Sequence, residues 1–188
     1  PITLTVETPG LCTFEGLSNL RISGNYLVVD GLVFINGYTP STYVIEFKTS
    51  DTQIARNCMV KRCVVDNYNH PDKTKMDNWM NLCGQYNKVY NCYFGGKKNQ
   101  GTTFIVSPNG QGPTENYHHV YRNYFGRRPK VGANGGETMR IGTSHYSLEN
   151  SNTIIEGNFF EYCNGETEII SVKSCENRII NNTFWECE

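Results

Sequence analysis

The chain has almost no alanine. Ala55 and Ala133 are the only two among 188 residues, and leucine occurs eight times. These are the best helix formers, and no long stretch carries a 3.6-residue apolar period with caps at both ends. Helical repeats of the ankyrin or TPR kind are excluded on that ground. Long apolar runs are missing as well: none approaches the ~18 residues of a membrane-spanning helix, so no membrane partner is expected. Pro1-Ile2-Thr3-Leu4 has neither the basic nor the apolar region of a secretory leader. Charge of one sign is also missing. Seventeen Lys and Arg face eighteen Asp and Glu, a formal net charge of −1, which leaves no global field to attract nucleic acid. A polyanion would have to be held by local basic groups such as Lys97-Lys98 and Arg127-Arg128 with Lys130. Finally, the eight cysteines contain no Cys-x-x-Cys pair, which argues against a zinc ribbon or a redox motif. Several sit inside apolar runs, as in Asn91-Cys92-Tyr93-Phe94. They read as small core residues rather than disulfide partners, and compartment stays open.

What is abundant is Gly, Asn, Tyr, Val and Ile, a composition of strands and turns. A degenerate unit recurs, roughly Asn-x-apolar-x-x-(Asn/Cys)-x-(Phe/Val). Copies run from Asn57 to Val65, Asn87 to Phe94, His119 to Phe125, Thr153 to Phe160 and Arg178 to Phe184. A weaker copy runs from Tyr26 to Phe34, with Gly31 at the small or polar position. With Cys63, Cys92, Asn123, Asn158 and Asn182 taken as equivalent, the spacings are 29, 31, 35 and 24 residues. Periods of this size mark a solenoid, propeller or array. The leucine frame of leucine-rich repeats is absent, and a propeller needs tighter periodicity. The fold class expected is all-β: one domain over residues 1–188, a single-stranded parallel β-helix. In it apolar residues point inward and Asn forms ladders at the turns. The variable spacing then comes from inserted loops at Asp66–Asn78, Ser107–Tyr117 and Arg127–Gly136, all expected on one side.

Chemistry concentrates in two segments. In Asn164-Gly165-Glu166-Thr167-Glu168, an extended backbone would project both glutamates to one side. Two carboxylates there repel unless a cation or proton lies between them, and paired hard oxygens suit Ca²⁺ rather than zinc. Lys173 follows five residues later, and a turn between them would bring it toward the metal. The second segment, Asn134-Gly135-Gly136-Glu137-Thr138, lies 32 residues before Glu166 when counted from Asn134. Stacked coils would bring the Asn134 carbonyl oxygen near Glu166. Singly, Glu-x-Glu is an ordinary solvated face and Asn-Gly-Gly an ordinary turn. Their conjunction one repeat apart, with a lysine following, is what points to a site.

These two stretches, with Arg140-Ile141-Gly142 and Ile169-Ile170-Ser171-Val172-Lys173-Ser174, resemble polysaccharide lyase family 6, which includes chondroitinase B and many alginate lyases. Phe94-Gly95-Gly96-Lys97 with Asn99, Gly101 and Thr102 adds weaker support. The resemblance implies a right-handed parallel β-helix, here truncated at both ends, and β-elimination of an acidic, uronate-containing polysaccharide. It implies Asn134, Glu166 and Glu168 as Ca²⁺ ligands and Lys173 as the Brønsted base. It also implies action outside the cytoplasm, secreted or periplasmic. The wording Asn-Gly-Gly-Glu-Thr is closer to the alginate lyases than to the dermatan-cleaving branch. Lys97, Arg127 and Arg140 are candidates to pair with sugar carboxylates, and Tyr117, His118 and His145 to stack on or hydrogen-bond to sugars. The family's general acid, an arginine in an Arg-His-Gly motif about one coil after the lysine, has no counterpart up to Glu188. An internal piece of a larger enzyme, completed by its other segments, is the expectation. A dermatan/chondroitin-type or pectate-type lyase and a non-catalytic carbohydrate-binding β-helix remain as alternatives.

Overall fold

The computed structural model describes residues 1–108, 113–132 and 134–188. Three parallel sheets run the length of a coiled chain. Sheet A holds Ile2–Thr5, Leu27–Asp30, Met59–Lys61, Lys88–Tyr90, His119–Tyr121, Ile154–Glu156 and Arg178–Ile180. Sheet B holds Thr13–Leu17, Val33–Tyr38, Val64–Asp66, Tyr93–Gly95, Tyr124–Arg128, Phe159–Cys163 and Thr183–Trp185. Sheet C holds Leu20–Arg21, Tyr43–Glu46, Asn78–Leu82, Phe104–Val106, Met139–Gly142 and Ile170–Lys173. Each coil visits A, B and C in turn, and each strand pairs with its counterparts one coil away. This is a parallel β-helix. No α-helix occurs among the described residues, only a 3-10 turn at Ser144–Tyr146.

The repeat read from sequence is the coil itself. Val64, Tyr93, Tyr124, Phe159 and Thr183 are in register, so the residues before them form one inward column. The backbone N–H of Cys92 donates to Asn123 Oδ1 at 3.0 Å, that of Asn123 to Asn158 Oδ1 at 3.0 Å, and that of Asn158 to Asn182 Oδ1 at 2.9 Å. The ladder satisfies buried backbone donors where the chain bends between sheets. Phe94, Phe125, Phe160 and Phe184 stack beside it at 5.3, 4.9 and 4.9 Å between ring centroids, close to the spacing of paired strands. In the first copy the register moves by one: Val33 pairs with Val64, so Leu32, not Gly31, is equivalent to Cys63. The reading of the cysteines as core residues holds for five of the eight. All eight are free, and Cys58, Cys63, Cys83, Cys92 and Cys163 are buried.

Three backbone positions in each coil adopt positive φ. One column, entering sheet A, is Tyr26, Asn57, Tyr86, Tyr117, Asn152 and Glu176. A second, between A and B, is Gly31, Arg62, Asn91, Arg122, Gly157 and Asn181. The third, leaving B, is Asn36, Asn67, Gly96, Arg127, Tyr162 and Glu186. Gly and Asn suit this region, whereas other L-residues pay about 1 kcal/mol or more there. Arg122 is exposed at φ 54°. Arg122→Asn is therefore expected to raise stability by about 0.5–1 kcal/mol, read as a higher midpoint in chemical denaturation.

The inserted loops do not all leave one side, as the sequence had suggested. Residues 67–77 and 129–138 join B to C, but 107–118 join C to A at another corner. Residues 109–112 of that loop, and Ala133 in the 129–138 loop, lie outside the described residues.

Candidate metal centre and its surroundings

The Asn134–Glu137 loop stacks on the Asn164–Glu168 loop because the strands that follow are paired, Met139 with Ile170 and Arg140 with Ser171. The glycines permit the approach. A Cβ on Gly136 would lie 2.5 Å from Gly165 O, and one on Gly165 would lie 2.1 Å from Gly136 O. With the backbones in contact, the N–H groups of Gly135 and Gly136 both donate to Glu166 Oε2, at 2.7 and 2.6 Å. Two amide donors on one oxygen fix the carboxylate in place.

Glu166 and Glu168 do converge, but not by strand alternation. They sit in a bend before the strand Ile170–Lys173. A third carboxylate joins them that the sequence reading did not assign. Glu137 is buried and accepts a hydrogen bond from Thr102 Oγ1 at 3.1 Å. One oxygen from each of Glu137, Glu166 and Glu168 lies within 4.8 Å of the other two. Three anions this close repel strongly in a partly buried setting. An all-oxygen cluster of this kind matches the ligand preference of Ca²⁺. Asn134 is exposed and lines, with Lys130, Gly132, Gly165, Glu166 and Thr167, a cleft of about 520 Å³.

Lys173 ends the strand Ile170–Lys173, which a bend at Ile169 separates from Glu168, and is in register with Gly142. A Cβ at residue 142 would lie 2.1 Å from Lys173 O, so glycine is required beside it. Met139 and Ile141 are buried, which puts Arg140 and Gly142 on the outer face of sheet C, along with their partners Ser171 and Lys173. Arg140 and Lys173 are thus diagonal neighbours on one face, and Arg140 Nε is enclosed without a hydrogen-bond partner among the described residues. A further cleft of about 340 Å³, lined by Tyr43, Lys48, Asn81, Ser107 and Thr143 among others, opens in earlier coils. Asn81 belongs to the register column of Arg140 through Ile105.

Two of the expected sugar contacts are corrected. Lys97 is 1% exposed, its ammonium donating to Asp77 Oδ1 at 2.7 Å and Asn99 Oδ1 at 3.0 Å. Burial pushes its pKa down to about 8. His118 is also 1% exposed, and its Nδ1 accepts the Asn87 N–H at 3.1 Å. Both side chains are enclosed in the interior, out of reach of a sugar. Arg127, Tyr117 and His145 reach solvent. Arg127 lines a cleft of about 640 Å³ with Lys98, Tyr162 and Asn164. Tyr117 stacks on Tyr86 at 5.1 Å, and His145 sits edge-on to Tyr146 at 4.7 Å.

The neighbour of Arg127, Arg128, points inward and is 1% exposed. Its Nε donates to Gly136 O at 2.6 Å and its Nη2 to Gly101 O at 2.6 Å. Burial pushes its pKa down to about 10, so it stays charged at neutral pH.

A family model described as chondroitinase B matches residues 1–188. Among solved structures, one described as the PL6 family alginate lyase AlyGC is 46% identical with a TM-score of 0.95, over 98% of this chain and 25% of that one. A mannuronic acid-specific polysaccharide family 6 lyase from human gut microbiota is 36% identical with a TM-score of 0.95, over 100% of this chain and 43% of that one. The PL6 family polysaccharide lyase Pedsa3628 from Pseudopedobacter saltans is 32% identical with a TM-score of 0.86, over 98% and 42%. The chain thus spans between a quarter and about two fifths of the length of these relatives. No curated protein matches.

Proposed function

The chain belongs to the chondroitinase B family, polysaccharide lyase family 6, and from that premise we propose that it carries the metal site and the base of a calcium-dependent alginate lyase. The observation that carries the reading is the convergence of Glu137, Glu166 and Glu168 from two stacked loops, beside the strand that ends in Lys173. Asn134, Glu166 and Glu168 would hold Ca²⁺, with Glu137 as an added carboxylate behind them. Bound there, the ion would neutralise the uronate carboxylate and stabilise the negative charge that develops as the sugar is deprotonated.

The residues of the chain do the rest. The Lys173 amine takes the C5 proton of the uronate. The C5–H electron pair becomes the C4–C5 double bond, and the C4–O glycosidic bond breaks. The departing oxygen takes a proton from water or from an acid supplied outside residues 1–188. Arg140, one diagonal step from Lys173, would pair with a neighbouring sugar carboxylate. The alginate assignment rests on the likeness to AlyGC at 46% identity. A polymer substrate of this size fits a secreted or periplasmic enzyme.

The test is to incubate the full-length protein with alginate in calcium and then in chelator, following the ultraviolet absorbance of the unsaturated uronate product. A rise abolished by chelator is expected. A rise that survives chelator removes the calcium role, and a rise only on dermatan or pectate moves the substrate.

A further inference from the structure

Resting on the calcium reading above, we propose that Arg128 is the positioning residue of that site, holding the loop whose amides grip Glu166. Its guanidinium lies where three successive coils meet. It donates to Gly101 O at 2.6 Å in one coil and to Gly136 O at 2.6 Å in the next. Longer contacts reach Asn99 O and Gly135 O, both at 3.4 Å. Below, its stem fills the space under Gly165, where an added Cβ would lie 2.8 Å from Nε and 2.9 Å from Cγ. Among the described residues no carboxylate forms a direct ion pair with it; its fork is used on backbone carbonyls.

The connection to Glu166 runs through single peptide planes. The Gly135 carbonyl accepts from Arg128 Nη2, and the N–H at the other end of the same peptide, that of Gly136, donates to Glu166 Oε2 at 2.6 Å. A carbonyl engaged by a cation polarises its peptide and strengthens the bond its N–H makes. The Gly101 N–H also donates to Gly135 O, at 3.1 Å, so the loop is held from the coil above as well. A planar five-donor fork is what this geometry uses, and a lysine cannot reproduce it. Arg128 touches neither the carboxylate cluster nor a substrate position; it acts through the Gly135–Gly136 backbone.

Calcium titration of Arg128→Lys and Arg128→Met, by calorimetry and with thermal melts in parallel, tests this. Loss of an outer partner of this kind weakens metal binding by about 10–100-fold, and both variants are expected to show it. If the charge alone mattered, Lys would bind as the parent does and Met would bind more tightly, since a nearby cation opposes a cation; that result overturns the proposal. On the unmodified chain, the NMR signals of Arg128 Nε–H and the Gly136 amide are expected to shift together as calcium is added. This holds whether or not the variants fold, and calcium uptake without any response at Arg128 overturns the proposal. An unmodified chain that takes up no calcium overturns the metal reading itself, and this inference with it. Normal uptake with an unaffected Arg128→Lys variant overturns only this inference.

Discussion

Lys173→Ala is expected to lower turnover of uronate polymer by about 10²–10⁴-fold, the range supplied by a positioned acid or base, while calcium affinity stays at the parental value. The separation follows from geometry. Lys173 makes no side-chain hydrogen bond or ion pair among the described residues, so its loss frees no partner. The carboxylates are fixed by other means: Glu166 by two amides and Glu137 by Thr102. Truncating a half-buried side chain at a strand end should cost little stability. The measurements are turnover from product absorbance, calcium affinity by titration and the thermal midpoint, all on full-length enzyme. Turnover within a few-fold of the parent would remove Lys173 from the proton transfer. A matching loss of calcium affinity would make it a contributor to the metal site instead.

The coil was legible because the fold repeats a chemical demand. Each passage between sheets A and B leaves an inward N–H to be satisfied, and Asn123, Asn158 and Asn182 recur at that point. The stacking of the Asn134–Glu137 loop on the Asn164–Glu168 loop was legible for a related reason, since laying one coil on the next converts a spacing near 30 residues into contact. Glu137 lay in the motif but carried no separate signal. Its offset of 29 residues from Glu166 is one coil, and that alone could have flagged it. Lys97 and Arg128 were misread together. Basic residues in glycine-rich segments look solvated, yet Tyr68, Lys97, Arg128 and Cys163 stand four positions after Val64, Tyr93, Tyr124 and Phe159, which share one register. That column turns inward where sheet B gives way to the loops, and all four are buried. Charge predicts exposure only where no buried partner exists, and the partners here, Asp77 and a set of backbone carbonyls, come from other coils.

His118 carries a large effect of another kind, on stability against acid. It stands in the inward column that precedes sheet A, where Asn87 Oδ1 accepts the Cys58 N–H at 2.8 Å and Asn177 Oδ1 accepts the Thr153 N–H at 3.1 Å. His118 does the same for Asn87 through Nδ1, which requires that nitrogen to be unprotonated. Burial pushes its pKa down to about 3, against an ordinary value of 6.5. Between those values the unfolded chain binds a proton that the folded chain refuses. The contribution to stability is therefore complete above pH 6.5 and is lost as pH falls toward 3, at about 1.4 kcal/mol per unit and about 4–5 kcal/mol in all. In His118→Asn the side-chain oxygen should accept the Asn87 N–H as its neighbours in the column do, with nothing left to titrate. The smaller residue will cost some stability at neutral pH through lost packing, but that cost is constant with pH. Denaturation midpoints of parent and variant should thus converge and then cross as the solution is acidified below pH 6.5. Curves that stay parallel down to pH 4 would mean that His118 gains a proton in the folded chain as readily as in the unfolded one, and that its ring is not held neutral by the interior.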